Sequence, residues 1–384
     1  MASRLYSTTR PLFLRVQRTL VRLHLCEIGS PTLVALIALA VTGLILLDAH
    51  QTQTHVSRTL PARCHDALNR LLRQMPLSTR ALMGLLISFV GRLRVRGYLC
   101  LDDVVVEKAY ARRLPWAGWT YSFANKRKVY GLHIVTLAWC SFDGQWRVPV
   151  AFRLWRPKRS CSAARYRTKL QLAHSMVVEV VTARLPFEYI VFDTHYTAGW
   201  FTKGVGGLGL RWQGTLDPKT HVVWRGKKQS VGKLAPTLKL KWRSHLSLRA
   251  KALTVHVPKH GRIRLVVTRN RHGNFEYLVG NDLSLAANLS GMVQRKRSRW
   301  SIETVFRDSK QFAGLACCQC FVDQAMVRHV ALVMLTFLVL QMMRQSPTES
   351  VAATKERWQL SVLRNGEAPP QPLRACPPQL RPTA

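Results

Sequence analysis

Acidic residues are scarce in this sequence. It has 19 Asp and Glu against 58 Lys and Arg, a formal net charge of +39 over 384 residues. An enzyme of small metabolites has no need of that excess, whereas a polyanionic partner does. The basic residues are interleaved with Trp, Tyr and Phe along most of the chain. That pattern fits a folded nucleic-acid-binding protein better than a disordered basic tail. An anionic lipid surface is the rival partner for a cationic face. Scarcity also gives each acid weight, because an acid that closes an apolar strand is then less often incidental.

A disulfide framework is missing too. The nine cysteines are odd in number and lack the spacing of a secreted domain, so a reducing compartment is expected. Cys317, Cys318 and Cys320 cluster, but no second Cys/His pair stands at zinc-finger spacing, and they read as small packing residues. A clear membrane span is also lacking. Residues 32–48 are nearly free of polar groups yet fall short of the roughly 18–20 a span wants. The preferred reading is a buried helix. The alternative is membrane insertion, with the Arg-rich segment before it on the inside. The apolar run 330–340 reads as a buried helix too short to span, and no stable membrane association is expected.

What is present divides the chain into five parts. Residues 1–95 read as an α-helical, DNA-binding region, with Leu68, Leu71, Leu72 and Met75, then Leu82, Leu85, Leu86 and Phe89, at helical spacing. Residues 96–203 open a catalytic core: a strand over 97–107, a hairpin of 129–140 and 146–155 around the Asp-Gly turn at 142–145, a helix over 163–183, and a strand over 187–193. Residues 204–265 are Gly-rich and then strongly basic, and read as a β-rich insertion. Residues 266–345 complete the core, with a helix over 283–312. Residues 346–384 read as a Pro-rich disordered tail.

The stretch 299–311 carries the chemistry. At about 100° per residue, a helix puts Arg299, Glu303, Arg307 and Lys310 in one stripe, with Ile302, Val305, Phe306 and Phe312 on the adjoining arc. Taken alone, it is an ordinary amphipathic surface helix with i,i+4 ion pairs. Two acidic positions upstream change that reading. Asp102 and Asp103 close the apolar half of the first strand, and Asp193 closes the fourth, although either site could simply start a turn. Three carboxylates on two strands and a helix can converge at one sheet edge. Such a cluster calls for hard divalent cations, Mg²⁺ or Mn²⁺. Two ions about 3.5–4 Å apart activate a hydroxyl and stabilise the leaving oxygen of a phosphodiester. His133, His195 and His329 read as core or phosphate-adjacent residues. The run from Lys219 to Lys241 reads as a phosphate-tracking face.

The order Asp103, Asp193, Glu303 resembles that of the DDE transposases of bacterial insertion sequences. The similar branch has a Tyr-x2-Arg-x3-Glu-x6-Lys signature and a β insertion between the second Asp and the Glu. Arg299, Glu303 and Lys310 match the spacing, while position 296, Tyr in the family, is Lys. Residues 101–108, 130–133, 148–150 and 191–196 also look like the family, and the resemblance spans roughly residues 65–345. It implies an α/β fold with an RNase H-like mixed-sheet core. It further implies two metal ions held by Asp103, Asp193 and Glu303, with Asp102 the alternative first ligand. Arg299 and Lys310 would contact DNA-end phosphates, with Arg307 and Lys296 as further candidates. The partners would be transposon ends and target DNA, bound by a homodimer. Two other readings stay open: an inactive DNA-binding relic, and a metal-dependent nuclease without strand transfer.

Overall fold

The computed structural model describes residues 2–48, 52–60, 65–74, 78–109, 114, 116–122, 126–284 and 288–364. Met75 and residues 365–384 of the expected tail lie outside them. The chain opens with helices α1 (Ala2–Arg22), α2 (Pro31–Leu46), α3 (Gln53–Thr59), α4 (His65–Arg73) and α5 (Thr79–Leu93). Then come strands β1 (Gly97–Glu107), β2 (Gly118–Ser122), β3 (Arg127–Ser141) and β4 (Arg147–Trp155). Helix α6 (Lys169–Thr182), β5 (Ile190–Phe192), α7 (Gly199–Gly207) and β6 (Trp212–Thr215) follow. A strand-rich stretch holds β7 (His221–Trp224), β8 (Lys227–Ser230), α8 (Val231–Leu234), β9 (Lys241–Arg243), β10 (Leu248–Val257), β11 (Gly261–Arg269) and β12 (Phe275–Gly280). Helices α9 (Leu289–Ser298), α10 (Trp300–Phe312), α11 (Asp323–Met342) and α12 (Val351–Leu363) come last.

The result is a mixed α/β fold on one large mixed sheet. Strand β3 pairs antiparallel with β1 along one edge, and its other edge is shared by β2 and β4. The β3–β4 hairpin turns where Asp-Gly stands. Asp143 Oδ1 accepts from the Gln145 backbone N–H at 2.9 Å, and Gly144 takes a φ of 72° that a side chain would resist. On its far side β1 runs parallel to β5, and β5 parallel to β6. Strand β12 then pairs antiparallel with β6, and β11, β10, β7 and β8 extend the same sheet.

Sequence and structure differ in four places. Residues 212–215, expected within the insertion, form β6 beside β5, a short strand hidden among glycines. The helix expected over 283–312 is two helices meeting at Arg299. The expected tail starts with α12, whose N-cap Ser350 accepts from the Ala353 N–H at 3.0 Å. The run 330–340 is the core of α11, which is 20 residues long and apolar enough to cross a membrane by length and composition. Most of it is buried in the fold, however. Helix α2 packs against it, with Ile37, Ala38, Val41 and Ile45 buried. The leading helices therefore share one core with α11 and α12.

Lys355 on α12 fastens this arrangement. Its ammonium is buried and donates to Leu47 O at the end of α2 and, at 3.0 Å, to Phe312 O at the end of α10. Both carbonyls belong to helix C-termini, where a cation is favoured. Lys355→Met keeps the stem but leaves both carbonyls without this donor. The expected loss is about 2–4 kcal/mol in chemical denaturation. An unchanged midpoint would show that the ammonium holds nothing.

Candidate active site

Strand alternation settles where the first acids point. Tyr98, Cys100 and Asp102 share one face of β1, the face that α9 and α10 cover. The Tyr98 hydroxyl donates to Ser298 O at 3.1 Å, the Cys100 thiol reaches the same carbonyl at 3.9 Å, and Arg299 Nη1 donates to Asp102 Oδ2 at 2.8 Å. The second arm of that guanidinium, Nη2, donates to Glu303 Oε1 at 2.7 Å. One arginine thus bridges a strand carboxylate and a helix carboxylate. Glu303 stays about one-third exposed (32%), against 17% for Asp102.

Asp103 points the other way. Its Oδ2 accepts from Lys169 Nζ, at the start of α6, at 2.7 Å. The same oxygen lies 3.0 Å from His133 Nδ1 on β3, and the Tyr196 hydroxyl donates to Oδ1 at 3.1 Å. His133 Nε2 is in turn 3.0 Å from Thr120 Oγ1. Asp103, the favoured first ligand, and Glu303 therefore lie on opposite sides of β1. Successive strand residues face opposite ways, and the Glu helix lies on the Asp102 side.

Asp193 directly follows β5. Leu101 pairs with Phe192, so Asp193, just past the end of β5, adjoins Asp102 in the middle of the parallel strand β1. Asp193 Oδ1 accepts from the backbone N–H groups of His195 at 3.0 Å and Tyr196 at 3.3 Å. It therefore shapes the turn after its strand and also lies close enough to Asp102 to act on its charge.

Electrostatics separates the two aspartates further. Burial pushes the Asp102 carboxyl up, Asp193's charge pushes it further, and Arg299 and the Asp103 N–H only partly oppose this, so it titrates at about 7. Burial also works to raise Asp103. There the His133 hydrogen bond and the Lys169 ammonium win, holding it well below the usual carboxylate range. Burial works to lower Arg299, but the charges of Asp102 and Glu303 outweigh it and raise it. Asp102 is thus a carboxyl short of positive charge, while Asp103 is fully compensated.

The other expected cations are dispersed. Lys310 turns inward and donates to Val105 O on β1 at 2.8 Å, and burial lowers its pKa. Arg307 is largely exposed, with Nε on its neighbour Asp308 at 3.0 Å. Lys296 Nζ donates to Glu276 Oε1 on β12 at 2.5 Å, away from the carboxylates. The structure brings together Asp102, Asp193, Glu303 and Arg299, and leaves Asp103, Arg307 and Lys296 outside that group. Nothing in the spacing around Lys169 pointed to it. Tyr196, three residues beyond Asp193, carried a positional hint that its type did not support.

Two aspartates on neighbouring interior strands and a helix glutamate lie about one guanidinium, on a strongly cationic chain. The chain belongs to the DDE superfamily endonucleases, whose family model matches residues 25–261. The matched stretch contains Asp102, Asp103 and Asp193 and ends before Glu303. Among solved structures, a piggyBac transposase synaptic complex with hairpin DNA is similar at 13% identity and a TM-score of 0.48, covering 95% of this chain and 79% of that one. No curated protein matches the sequence.

Proposed function

We propose that this chain is a DNA transposase of the insertion-sequence type, which binds element ends, cuts phosphodiesters and joins the freed 3′-hydroxyl to target DNA. The observation that carries the reading is the convergence of Asp102, Asp193 and Glu303 around Arg299. The strand order β4-β3-β1-β5-β6, with β1, β5 and β6 parallel, supports an RNase H-like core. Strands β7 to β12 would then be largely the insertion between the second Asp and the Glu. The Arg299, Glu303 and Lys310 spacing supports the signature branch, and a homodimer in the cytoplasm is the form expected to act.

The donor set suits Mg²⁺ or Mn²⁺. It is all carboxylate oxygen, and Asp102 lacks the positive charge that a divalent ion would bring. The guanidinium of Arg299 stands between Asp102 and Glu303. Among the described residues no three Asp, Glu, His or Cys side chains close into a ready cage. The residues fit the ion by chemistry, with Asp102, Asp193 and Glu303 as its holders and Arg299 as the group that must yield. Bound divalent ions would polarise the scissile phosphate and activate the attacking hydroxyl. Arg299, once free of the carboxylates, is shaped to grip a phosphate with two N–H groups. Lys310 holds α10 against β1 through Val105. Lys169, His133 and Tyr196 anchor β1 from its other face, so that Asp102 is presented by a fixed strand.

The test is incubation of labelled element-end DNA with Mg²⁺ or Mn²⁺. Cleavage with joining supports the transposase, cleavage without joining replaces it with a nuclease, and tight binding without either replaces it with a relic. The basic face adds a second expectation. Duplex affinity should fall at least about 100-fold between about 50 and 200 mM salt. A flat salt response in a gel-shift titration would remove the phosphate-contact argument.

A further inference from the structure

The cysteine cluster after the Glu helix has a use beyond packing. Cys318 and Cys320 stand in the irregular link between α10 and α11 and line a cavity of about 160 Å³ together with Leu72, Leu332 and His329. Cys318 is buried and Cys320 half-buried. They stand two residues apart on that link, and both line the cavity. Lys108, just past β1, donates through Nζ to Ala316 O at 2.8 Å and to Cys318 O, which brings a buried ammonium to the same link.

We propose that Cys320 and Cys318 form a thiol–disulfide exchange site, Cys320 attacking and Cys318 resolving, that takes low-molecular-weight disulfides at the cavity. The Cys320 thiolate attacks one sulfur of the incoming disulfide. That S–S bond breaks, one half leaves as a thiolate and takes up a proton, and a mixed disulfide remains on Cys320. Cys318 then gives up its proton, its sulfur attacks that of Cys320, and the second half leaves. Two protein thiols are oxidised and one small disulfide is reduced to two thiols.

Charge supports the division of roles. The neighbouring Cys318 thiol does most to lower Cys320; burial opposes it, and Arg73 and Lys108 assist, bringing Cys320 to about 7. The neighbouring Cys320 and burial raise Cys318 well above the ordinary thiol range, so it keeps its proton longer. His329 faces the cavity but adds no charge, because burial pushes it down to about 4, and its Nε2 lies 3.0 Å from Gly314 O. Geometry allows closure. Residues two apart in extended chain lie up to about 7 Å apart, near the upper limit for a bridge, and no helix or strand restrains residues 318–321.

The experiment uses the full chain and glutathione disulfide. Substoichiometric iodoacetamide at pH 7, read by peptide mass spectrometry, is expected to label Cys320 at least tenfold faster than exposed Cys26. Glutathione disulfide is expected to leave the wild-type peptide two hydrogens lighter, with no glutathione attached. In Cys318→Ser the reaction is expected to stop with one glutathione on Cys320. Equal labelling of Cys320 and Cys26 would overturn the proposal. So would glutathione persisting on wild-type Cys320, or a bridge to Cys317. These readouts do not depend on DNA chemistry, so the result stands apart from the transposase reading.

Discussion

Glu303→Gln is expected to abolish metal-dependent cleavage of element-end DNA while leaving duplex binding within about twofold. Glutamine keeps the shape and can still accept from Arg299 through its carbonyl oxygen. What it removes is one negative charge from the group that would hold the ion. Loss of a partner outside the ligand set costs about 10–100-fold in metal affinity or activity, so loss of a ligand charge should exceed that, at about 10³-fold or more in cleavage rate. Residual cleavage within tenfold of wild type would dismiss Glu303 as a ligand. Loss of DNA binding together with cleavage would make it a structural residue instead. Asp103→Asn supplies the contrast. Asp103 faces Lys169, His133 and Tyr196, so its replacement should cost stability before chemistry. Were Asp103→Asn instead to kill cleavage in a stably folded protein, the assignment of Asp102 would be wrong.

Arg299→Gln is expected to tighten binding of Mn²⁺ to the DNA-free protein by about tenfold or more, and to weaken DNA binding. In the wild type an entering cation must first break two charge-assisted hydrogen bonds, at 2.8 Å to Asp102 and 2.7 Å to Glu303. Such bonds are individually worth about 1.5–3 kcal/mol, and the arginine recovers part of that from water. A net tenfold corresponds to about 1.4 kcal/mol. The measurement is Mn²⁺ titration followed by electron paramagnetic resonance, which reports free ion and needs no turnover.

The pH of that titration matters. Asp102 titrates at about 7, and an ion displaces its proton, so wild-type affinity should rise from pH 6 to pH 8 and then level. Arg299 lowers Asp102, hence its removal moves Asp102 further up, and the comparison belongs above pH 8. Unchanged Mn²⁺ affinity there would mean that the guanidinium does not occupy the cation's place. The salt dependence of DNA binding offers an independent check, because losing a phosphate contact reduces its slope by about one.

Much of the site was legible because its elements are periodic. Strand β1 is an apolar run that meets two acids at its middle, the Asp-Gly pair announces the β3–β4 hairpin, and α10 shows its stripe of Arg299, Glu303 and Lys310. The choice between Asp102 and Asp103 was not legible. Adjacent strand residues differ only in the face they take, and that face depends on where α6 and α10 come to lie. The destination of Lys310 was hidden for a related reason. A long cationic side chain on a helical stripe reads as solvent-facing until a backbone carbonyl is found within its reach. Strand β6 escaped notice because four residues, one of them Gly214, carry no period. Helix α12 escaped because the Pro-rich residues after it set the reading of the whole segment, and its tightest anchor is a buried lysine.

Lys355 also ties the site to the order of synthesis. Asp102 and Glu303 lie 201 residues apart in the chain, about 10–40 s of translation at about 5–20 residues per second. Lys355 follows later still, and only then can the end of α10 be fastened to the end of α2. A nascent chain has its first acid and its basic leading helices long before the last acid is clamped in place. The leading helices share their core with α11 and α12, so the group around Arg299 is expected to reach its final form only when the C-terminal helix docks.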